Sequence, residues 1–260
     1  MPYSRATVFE ACTFLGQMFE YHGDLDDLLL RWELDGFIGE LRGTVRDRLR
    51  SFFIVLRDNP ELEFDGRLVR ELIVEQAARH ASLGYRSSET FIRSLARDGY
   101  SIDENREIRR DLPAVADLPA ADDEVHTLLR KYNLATPLGH FDQAVDAHAR
   151  GDWAAANGQL RTFCESLFDE IALLLDQANA PTTMAGETRR QLLANLAVPF
   201  LSRSLGEWSD DGKNFVNGLF KRLHPQGNHP GLSDEEDCTF RLHIVLIVAR
   251  LFLRRLDERI

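Results

Sequence analysis

An arginine and a histidine in one short turn have the residue types and the spacing for acid–base chemistry on a phosphate. Arg222 is followed by six residues and then by His229, within the stretch KRLHPQGNHPGLSDEED at 221–237. Histidine can take up or release a proton at neutral pH, because its unperturbed pKa is about 6.5. Arginine is a permanently charged fork that matches phosphate oxygens. The pair suits cleavage of a phosphodiester, with His229 taking a hydroxyl proton and Arg222 neutralising the phosphate as it gains charge.

The helices on either side must position this pair. Apolar residues recur at three- and four-residue steps with almost no period-two alternation, which predicts a mainly α protein. In the second half, four helical segments running up and down predict a bundle. Their predicted ranges are 139–150, 153–178, an interrupted 187–222, and a last helix from the turn to about 258. These boundaries place Arg222 on the last turn of the third segment and His229 in the loop before the fourth, both pointing into one crevice.

Capping residues define the ends of these segments. Gly151 is predicted to end the first segment and Asp152 to cap the second, which makes the two an antiparallel hairpin. Ser233 with Glu236 three residues later predicts a capping box for the final helix.

The first half predicts a second helical domain. Its predicted helices lie at 5–20, 37–57, 67–80 and 87–97. Between 97 and 113 the segments YSI and REI, flanked by turn residues, predict a small β-hairpin. The Pro/Ala/Asp stretch that follows is typical of a linker. We therefore predict a helical N-terminal domain at 1–120, a connecting helix and linker at 121–138, and the bundle at 139–260.

Composition limits the classes of function. With a formal net charge of -11, the chain cannot coat nucleic acid through bulk electrostatics, so a polyanion must be bound locally. The cysteines Cys12, Cys164 and Cys238 are odd in number and contain no C-x-x-C pair, which indicates neither a disulfide framework nor a zinc site. No signal peptide or membrane-spanning run is recognised. We expect a cytoplasmic protein with no membrane partner, no metal and no cofactor.

The stretch GDWAAANGQLRTFCESLFDEIA, the interrupted helix and RLHPQGNHPGLS together resemble the C-terminal HEPN domain of abortive-infection proteins, over about residues 139–260. The first half looks like the helical region that often accompanies such domains. The resemblance implies a metal-independent endoribonuclease of a defence or toxin system. By carry-over Arg222 and His229 match the active motif, Asn228 lies in its variable interior, and Glu165 matches a polar residue that often faces it.

The resemblance also implies partners. HEPN domains form two-fold dimers that bring two motifs together, so a second His229 is expected to serve as the acid at a composite site. RNA is then the substrate, and a regulatory partner or antitoxin is expected. One position departs from the pattern: Leu223 follows the motif arginine where active members often have Asn, His or Asp. His224, one place later, is a candidate for the missing polar group.

The residues given a catalytic role also have purely structural interpretations. His229 would then brace the turn, Arg222 would favour a helix C-terminus, and Glu165 would form a helix-surface ion pair with Arg161. His243 is expected to be a core or interface histidine. The protein would be an inert HEPN-like module for dimerisation and interaction. A helical binder of a small ligand has no support in the sequence beyond the fold.

Two charged groups have alternatives of their own. Arg250, Arg254 and Arg255 recur at helical spacing, which usually indicates a solvated face, although they could guide RNA toward the cleft. The carboxylates between 24 and 35 lack the alternation of a calcium loop and are interpreted as caps and surface. They are Asp24, Asp26, Asp27, Glu33 and Asp35.

Overall fold

The computed structural model describes residues 3–81, 88–112, 117–180, 186–224 and 233–260. The chain is mainly helical and divides into two compact units, Met1–Ala120 and Ala121–Ile260.

The first unit contains five α-helices and two short hairpins within its described residues. The helices are α1 (Arg5–Met18), α2 (His22–Arg31), α3 (Val45–Asp58), α4 (Val69–His80) and α5 (Glu89–Arg97), and Asp35–Glu40 form a 3₁₀ helix. The predicted helix at 37–57 was too long. Gly43 has φ +95°, a left-handed conformation that interrupts a helix, and Thr44 then caps α3 by accepting from the Asp47 amide at 3.2 Å.

Helix α2 was not predicted as a helix. Its buried residues Leu25, Leu28 and Leu29 follow helical spacing, but the surrounding carboxylates obscured the pattern. One of those carboxylates does cap a helix as expected, because Asp24 accepts from the Tyr21 amide at 3.0 Å.

The predicted hairpin forms with YSI as its first strand, but its second strand begins at Ile108, because Arg106 and Glu107 of the predicted REI strand lie in the turn. Strands β3 (Tyr100–Ile102) and β4 (Ile108–Arg110) are antiparallel, with Ile102 paired to Ile108. A smaller hairpin, β1 (Glu63–Phe64) and β2 (Arg67–Leu68), precedes α4 and was not predicted.

Helix α1 lies at the centre of the first unit, against α3, α4 and α5. Its start is fastened to the end of α5 by a buried polar cluster. The Asp98 carboxylate accepts from the Ser4 amide and from the Thr7 hydroxyl, each at 2.6 Å. Burial raises the pKa of Asp98, although Arg97 and these donors oppose the rise.

The second unit begins within α6 (Leu118–Lys131) and continues through α7 (Ala135–Ala149), α8 (Trp153–Leu175), α9 (Gly186–Asn195), α10 (Phe215–Leu223) and α11 (Glu235–Asp257). Two helices start earlier than predicted. Pro119 and Pro137 lie in the first turns of α6 and α7. Backbone amides in a first turn have no acceptor within the helix, so a proline there removes no helical hydrogen bond and does not break the helix.

The corner between α7 and α8 is confirmed. Gly151 has φ +76°, and the Asp152 side chain accepts from the Ala155 amide at 3.2 Å. The capping box at α11 is corrected, because Asp234 is the N-cap and accepts from the Asp237 amide at 2.8 Å. The interrupted segment is two short helices, α9 and α10, separated by residues 196–214 without α-helix.

Helix α8 is the central helix of the second unit, in contact with α7, α9, α10 and α11. Phe168 on α8 packs edge-on against Phe252 of α11, with ring centroids 5.0 Å apart, and also contacts Phe220 of α10. The three cysteines of the chain are buried and free.

Candidate functional site

Arg222 lies on the last turn of α10, where the helix boundaries predicted it. Its side chain is 42% exposed and forms an ion pair with Asp237 on the first turn of α11. The guanidinium also lies over the Phe240 ring, 5.6 Å from its centroid. A guanidinium has five N–H donors, so one carboxylate partner leaves Arg222 with donors for an anion.

Asp237 is shared between two arginines. Its second oxygen, Oδ2, lies 2.7 Å from Nε of Arg241, whose side chain is only 1% exposed. Burial acts to raise the pKa of Asp237, but Arg222 and Arg241 outweigh it and the pKa lies below its usual value. Arg241 Nη1 also donates to the Leu223 carbonyl at 3.4 Å. The end of α10 is thus fixed to the start of α11 through a buried charge cluster.

Leu223 follows Arg222 at the end of α10. Its side chain is buried in the core, so this position cannot present a polar group to a cleft. His224 caps α10 and is exposed, and its Nδ1 contacts Nη1 of Arg161 on α8. Because a guanidinium only donates, Nδ1 must accept, which leaves the proton of the neutral ring on Nε2.

Glu165 forms the surface ion pair of the structural interpretation. Its Oε1 lies 2.9 Å from Nε of Arg161, and no ion pair or hydrogen bond joins it to Arg222, which the structure also describes. Glu165 is instead linked to His224 through Arg161. The site role expected for Glu165 therefore stays a prediction, whereas the ion pair is confirmed.

A polar row runs along one face of α8 at four-residue steps: Asn157, Arg161, Glu165 and Asp169. At one end the Asn157 Nδ2 donates to the Ser233 hydroxyl at 3.2 Å. At the other end Asp169 pairs with Arg189 at 2.9 Å, and burial raises the pKa of Asp169 despite the neighbouring arginines.

Helix α9 adds a second buried cation to this region. Arg190 lies over the Phe220 ring at 4.1 Å from its centroid, and burial lowers its pKa. Nearby carboxylates, Glu187 first, oppose that shift. The polar row is therefore balanced between cations and anions.

The chain leaves α10 at His224 and re-enters the described structure at Ser233. Both residues contact α8, at Arg161 and Asn157, which are one helical turn apart. His229 and Asn228 lie outside the described residues, so their predicted roles stay predictions.

Arg250, Arg254 and Arg255 of α11 pair with carboxylates, and their role in guiding RNA stays a prediction. Arg250 and Arg254 both bind Glu124 of α6, at 2.7 Å from Arg250 Nε and from Arg254 Nη2. Arg255 binds Glu207 through two hydrogen bonds of 2.6 and 2.7 Å. These ion pairs stabilise the unit and reduce the charge available to a polyanion.

His243 is half-buried on α11.

Asp237, Arg241 and Arg161 were not proposed for the site from the sequence. A usable signal existed for the first two, because Asp237 and Arg241 are four residues apart on a predicted helix, the spacing of an ion pair. Arg161 had been assigned only to Glu165, and nothing in the sequence indicated its contact with His224.

The arrangement can bind an anion at Arg222 and hold it against a rigid pair of helix ends. Among the described residues, no group of His, Cys, Asp and Glu side chains is placed to hold a metal ion. Within the same residues no helix is long and apolar enough to cross a membrane. The chain matches no family model, no curated protein and no solved structure.

Proposed function

We propose that the second unit is an HEPN-like bundle and that its turn at 221–237 is the active site of a metal-independent endoribonuclease of a defence or toxin system. The observation that carries the proposal is the placement of Arg222. Its exposed guanidinium is held by Asp237 at the entrance to the loop that contains His229. A cation fixed in this way is preorganised for a phosphate.

The anchoring of the loop supports the pairing of Arg222 with His229. His229 is five residues from His224 and four from Ser233. His224 and Ser233 each contact α8, at side chains one helical turn apart. The two ends of the segment that contains His229 are thus held on the same stretch of α8, which supports the proposed pairing of His229 with Arg222.

In the proposed reaction His229 takes the proton from the ribose 2′-OH, and the resulting oxygen attacks the adjacent phosphorus. Arg222 neutralises the phosphate oxygens as charge develops. The 5′-oxygen leaves with a proton from an acid, which we assign to His229 of a second copy. The products are a 2′,3′-cyclic phosphate and a 5′-hydroxyl, and no metal takes part.

An exposed apolar stripe on α11 supports the second copy. Phe240, Ile247 and Leu251 follow one face and are 51%, 49% and 47% exposed. Arg222 lies over the first of them. A two-fold pairing of this stripe with itself would bury these side chains and bring two copies of Arg222 near one axis.

The test is cleavage of total RNA and tRNA by the full-length protein in excess chelator. Wild type is compared with His229→Ala and with the control His22→Ala, which removes an exposed histidine of the first unit. We expect cutting with cyclic-phosphate ends by wild type and His22→Ala, and none by a folded His229→Ala. Equal cutting by all three would overturn the assignment of His229.

Mixing tests the composite site. In a statistical mixture of equal amounts of wild type and His229→Ala, a site within one copy leaves about half of the activity, and a site needing both histidines leaves about one quarter. Retention of half would refute the shared site.

A second candidate is a catalytically inert HEPN-like module for dimerisation and interaction. It is favoured by the ion pair that engages Arg222 and by the exposed stripe on α11, neither of which requires catalysis. This module would form a dimer that cuts no RNA. The proposed ribonuclease would form a dimer that does cut RNA.

A further inference from the structure

We propose that the first unit binds a small ligand carrying phosphate groups, in a groove along one face of α4. This site lies apart from the turn at 221–237 and does not depend on the proposed ribonuclease activity. The groove, here called the α4 groove, consists of two cavities of about 530 and 100 Å³. Both are lined by Glu75 and Arg79, which makes them neighbours along the helix.

Arginines dominate the charge of the α4 groove. Among the described residues, its lining contains four arginines and two glutamates: Arg31, Arg67, Arg79, Arg106, Glu75 and Glu107. The whole chain has a net charge of -11, whereas the lining of this groove has more positive than negative side chains. Such a groove attracts an anion.

Most of these cations are not neutralised within the chain. Arg67 pairs with Glu75. By contrast, Arg31 and Arg79 form no ion pair or side-chain hydrogen bond with any residue that the structure describes. Both are exposed; Arg79 lines both cavities and Arg31 lines the smaller one. Their guanidinium groups are therefore available to phosphate oxygens.

Arg106 is held over the groove in an uncommon backbone conformation. It has φ +64°, in the left-handed region that favours glycine or asparagine, at the turn between β3 and β4. Its Nη1 donates to the Arg79 carbonyl at 3.1 Å, which places the guanidinium at the end of α4. The pKa of His80 is lowered first by burial and then by the charge of Arg106, so that charge is felt inside the unit.

Size and chemistry favour a phosphorylated small molecule over RNA. Small-molecule sites commonly span about 300–1,000 Å³, and the larger cavity lies in that range. Tyr3 lines the larger cavity and Trp32 the smaller, so each has an aromatic wall beside its arginines. A nucleotide, with a flat ring and a phosphate chain, has the matching chemistry.

The test is isothermal titration calorimetry of the full-length protein at low salt with three probes: pyrophosphate, ATP and a short single-stranded RNA. The variants are Arg79→Ala and Arg106→Gly. Glycine adopts the backbone conformation at position 106 freely, so this change removes the guanidinium without straining the turn. Arg50→Ala, an exposed arginine of α3 outside the lining, is the matched control.

We expect one molecule of ATP or pyrophosphate per chain, at least about tenfold weaker binding in Arg79→Ala and Arg106→Gly, and unchanged binding in Arg50→Ala. The His229→Ala variant should bind as wild type does, so a failure of the ribonuclease proposal leaves this one standing. The proposal is overturned if neither phosphate probe binds at millimolar concentration, if Arg50→Ala weakens binding equally, or if only the RNA binds.

Discussion

Two arginines converge on Asp237, so neutralising this one carboxylate tests how the corner between α10 and α11 is held. The change is Asp237→Asn, which keeps the size and one oxygen of the side chain but removes its charge. Arg241, 1% exposed, would lose the carboxylate 2.7 Å from its Nε. Removing one partner of a buried ion pair typically costs about 3–5 kcal/mol, because the other charge stays buried.

The expected magnitude lies at the lower end of that range. The Asp237 side chain is 16% exposed, and the asparagine oxygen still accepts a hydrogen bond. The pair with Arg222 is partly exposed and adds only about 0–1 kcal/mol. We expect a loss of about 3 kcal/mol in the free energy of unfolding, which lowers the melting temperature by roughly 10 °C. Circular dichroism melts and urea titrations measure both quantities.

Asp234→Asn is the matched control. It removes one negative charge from the same helix N-terminus, and asparagine caps a helix as well as aspartate. We expect its cost to stay below about 1 kcal/mol. Equal losses in the two variants would refute the buried ion pair as the cause. Adding Arg241→Met to Asp237→Asn should restore much of the lost stability, because no buried charge is then left without its carboxylate.

The pH dependence has a definite sign. The pKa of Asp237 in the folded protein lies below its usual 3.8, so in acid the unfolded chain binds the proton more readily. The contribution of Asp237 to stability is complete at a pH above the usual pKa of 3.8. It is lost as the pH falls through the lowered pKa of the folded protein. As the pH falls in the acid range, the free energy of unfolding should therefore decrease more steeply in wild type than in Asp237→Asn.

Three further changes test other parts of the chain. Gly151→Ala places a Cβ at φ +76° and should cost about 1–2 kcal/mol, measured by urea unfolding. The raised pKa of Asp98 means that its contribution to stability falls as the pH rises through that pKa, and Asp98→Asn should remove this slope from urea titrations carried out above the usual pKa of 3.8. Ile247→Glu puts a charge into the exposed stripe of α11 and should convert a dimer into a monomer with an unchanged melting profile, as measured by light scattering.

Periodicity and capping chemistry predicted much of the fold. The corner at Gly151 and Asp152 was predictable because left-handed glycine and an N-cap aspartate act locally. The errors arose where local signals competed. The stretch around Pro119 was interpreted as a linker, and Pro137 was left outside the predicted helix at 139–150, but a proline in the first turn sacrifices no helical hydrogen bond. Ser233 and Asp234 are both good caps, and only the packing of α11 decides between them.

The candidate site was predictable in part. The position of Arg222 followed from the helix boundaries, because the end of an apolar repeat fixes the last turn. The cluster of Asp237 and Arg241 required knowledge of which face of α11 is buried, and the amphipathic pattern of that helix is weakened by its exposed apolar stripe. The contact between Arg161 and His224 joins residues 63 positions apart and has no local signal.

The charge distribution limits how this chain can meet a polyanion. A net charge of -11 repels RNA at a distance, but that repulsion is screened beyond about 8 Å at physiological salt. Binding must then come from short-range contacts with arginines that retain donors. At the proposed site that arginine is Arg222, which keeps donors beside its one carboxylate partner. Few phosphates would be neutralised. For single strands, the logarithm of the binding constant falls with the logarithm of the salt concentration by about 0.7 for each phosphate contacted. The proposed enzyme should therefore show a slope of only about -1 to -3. A much steeper slope would indicate an extended basic surface and would contradict the local site.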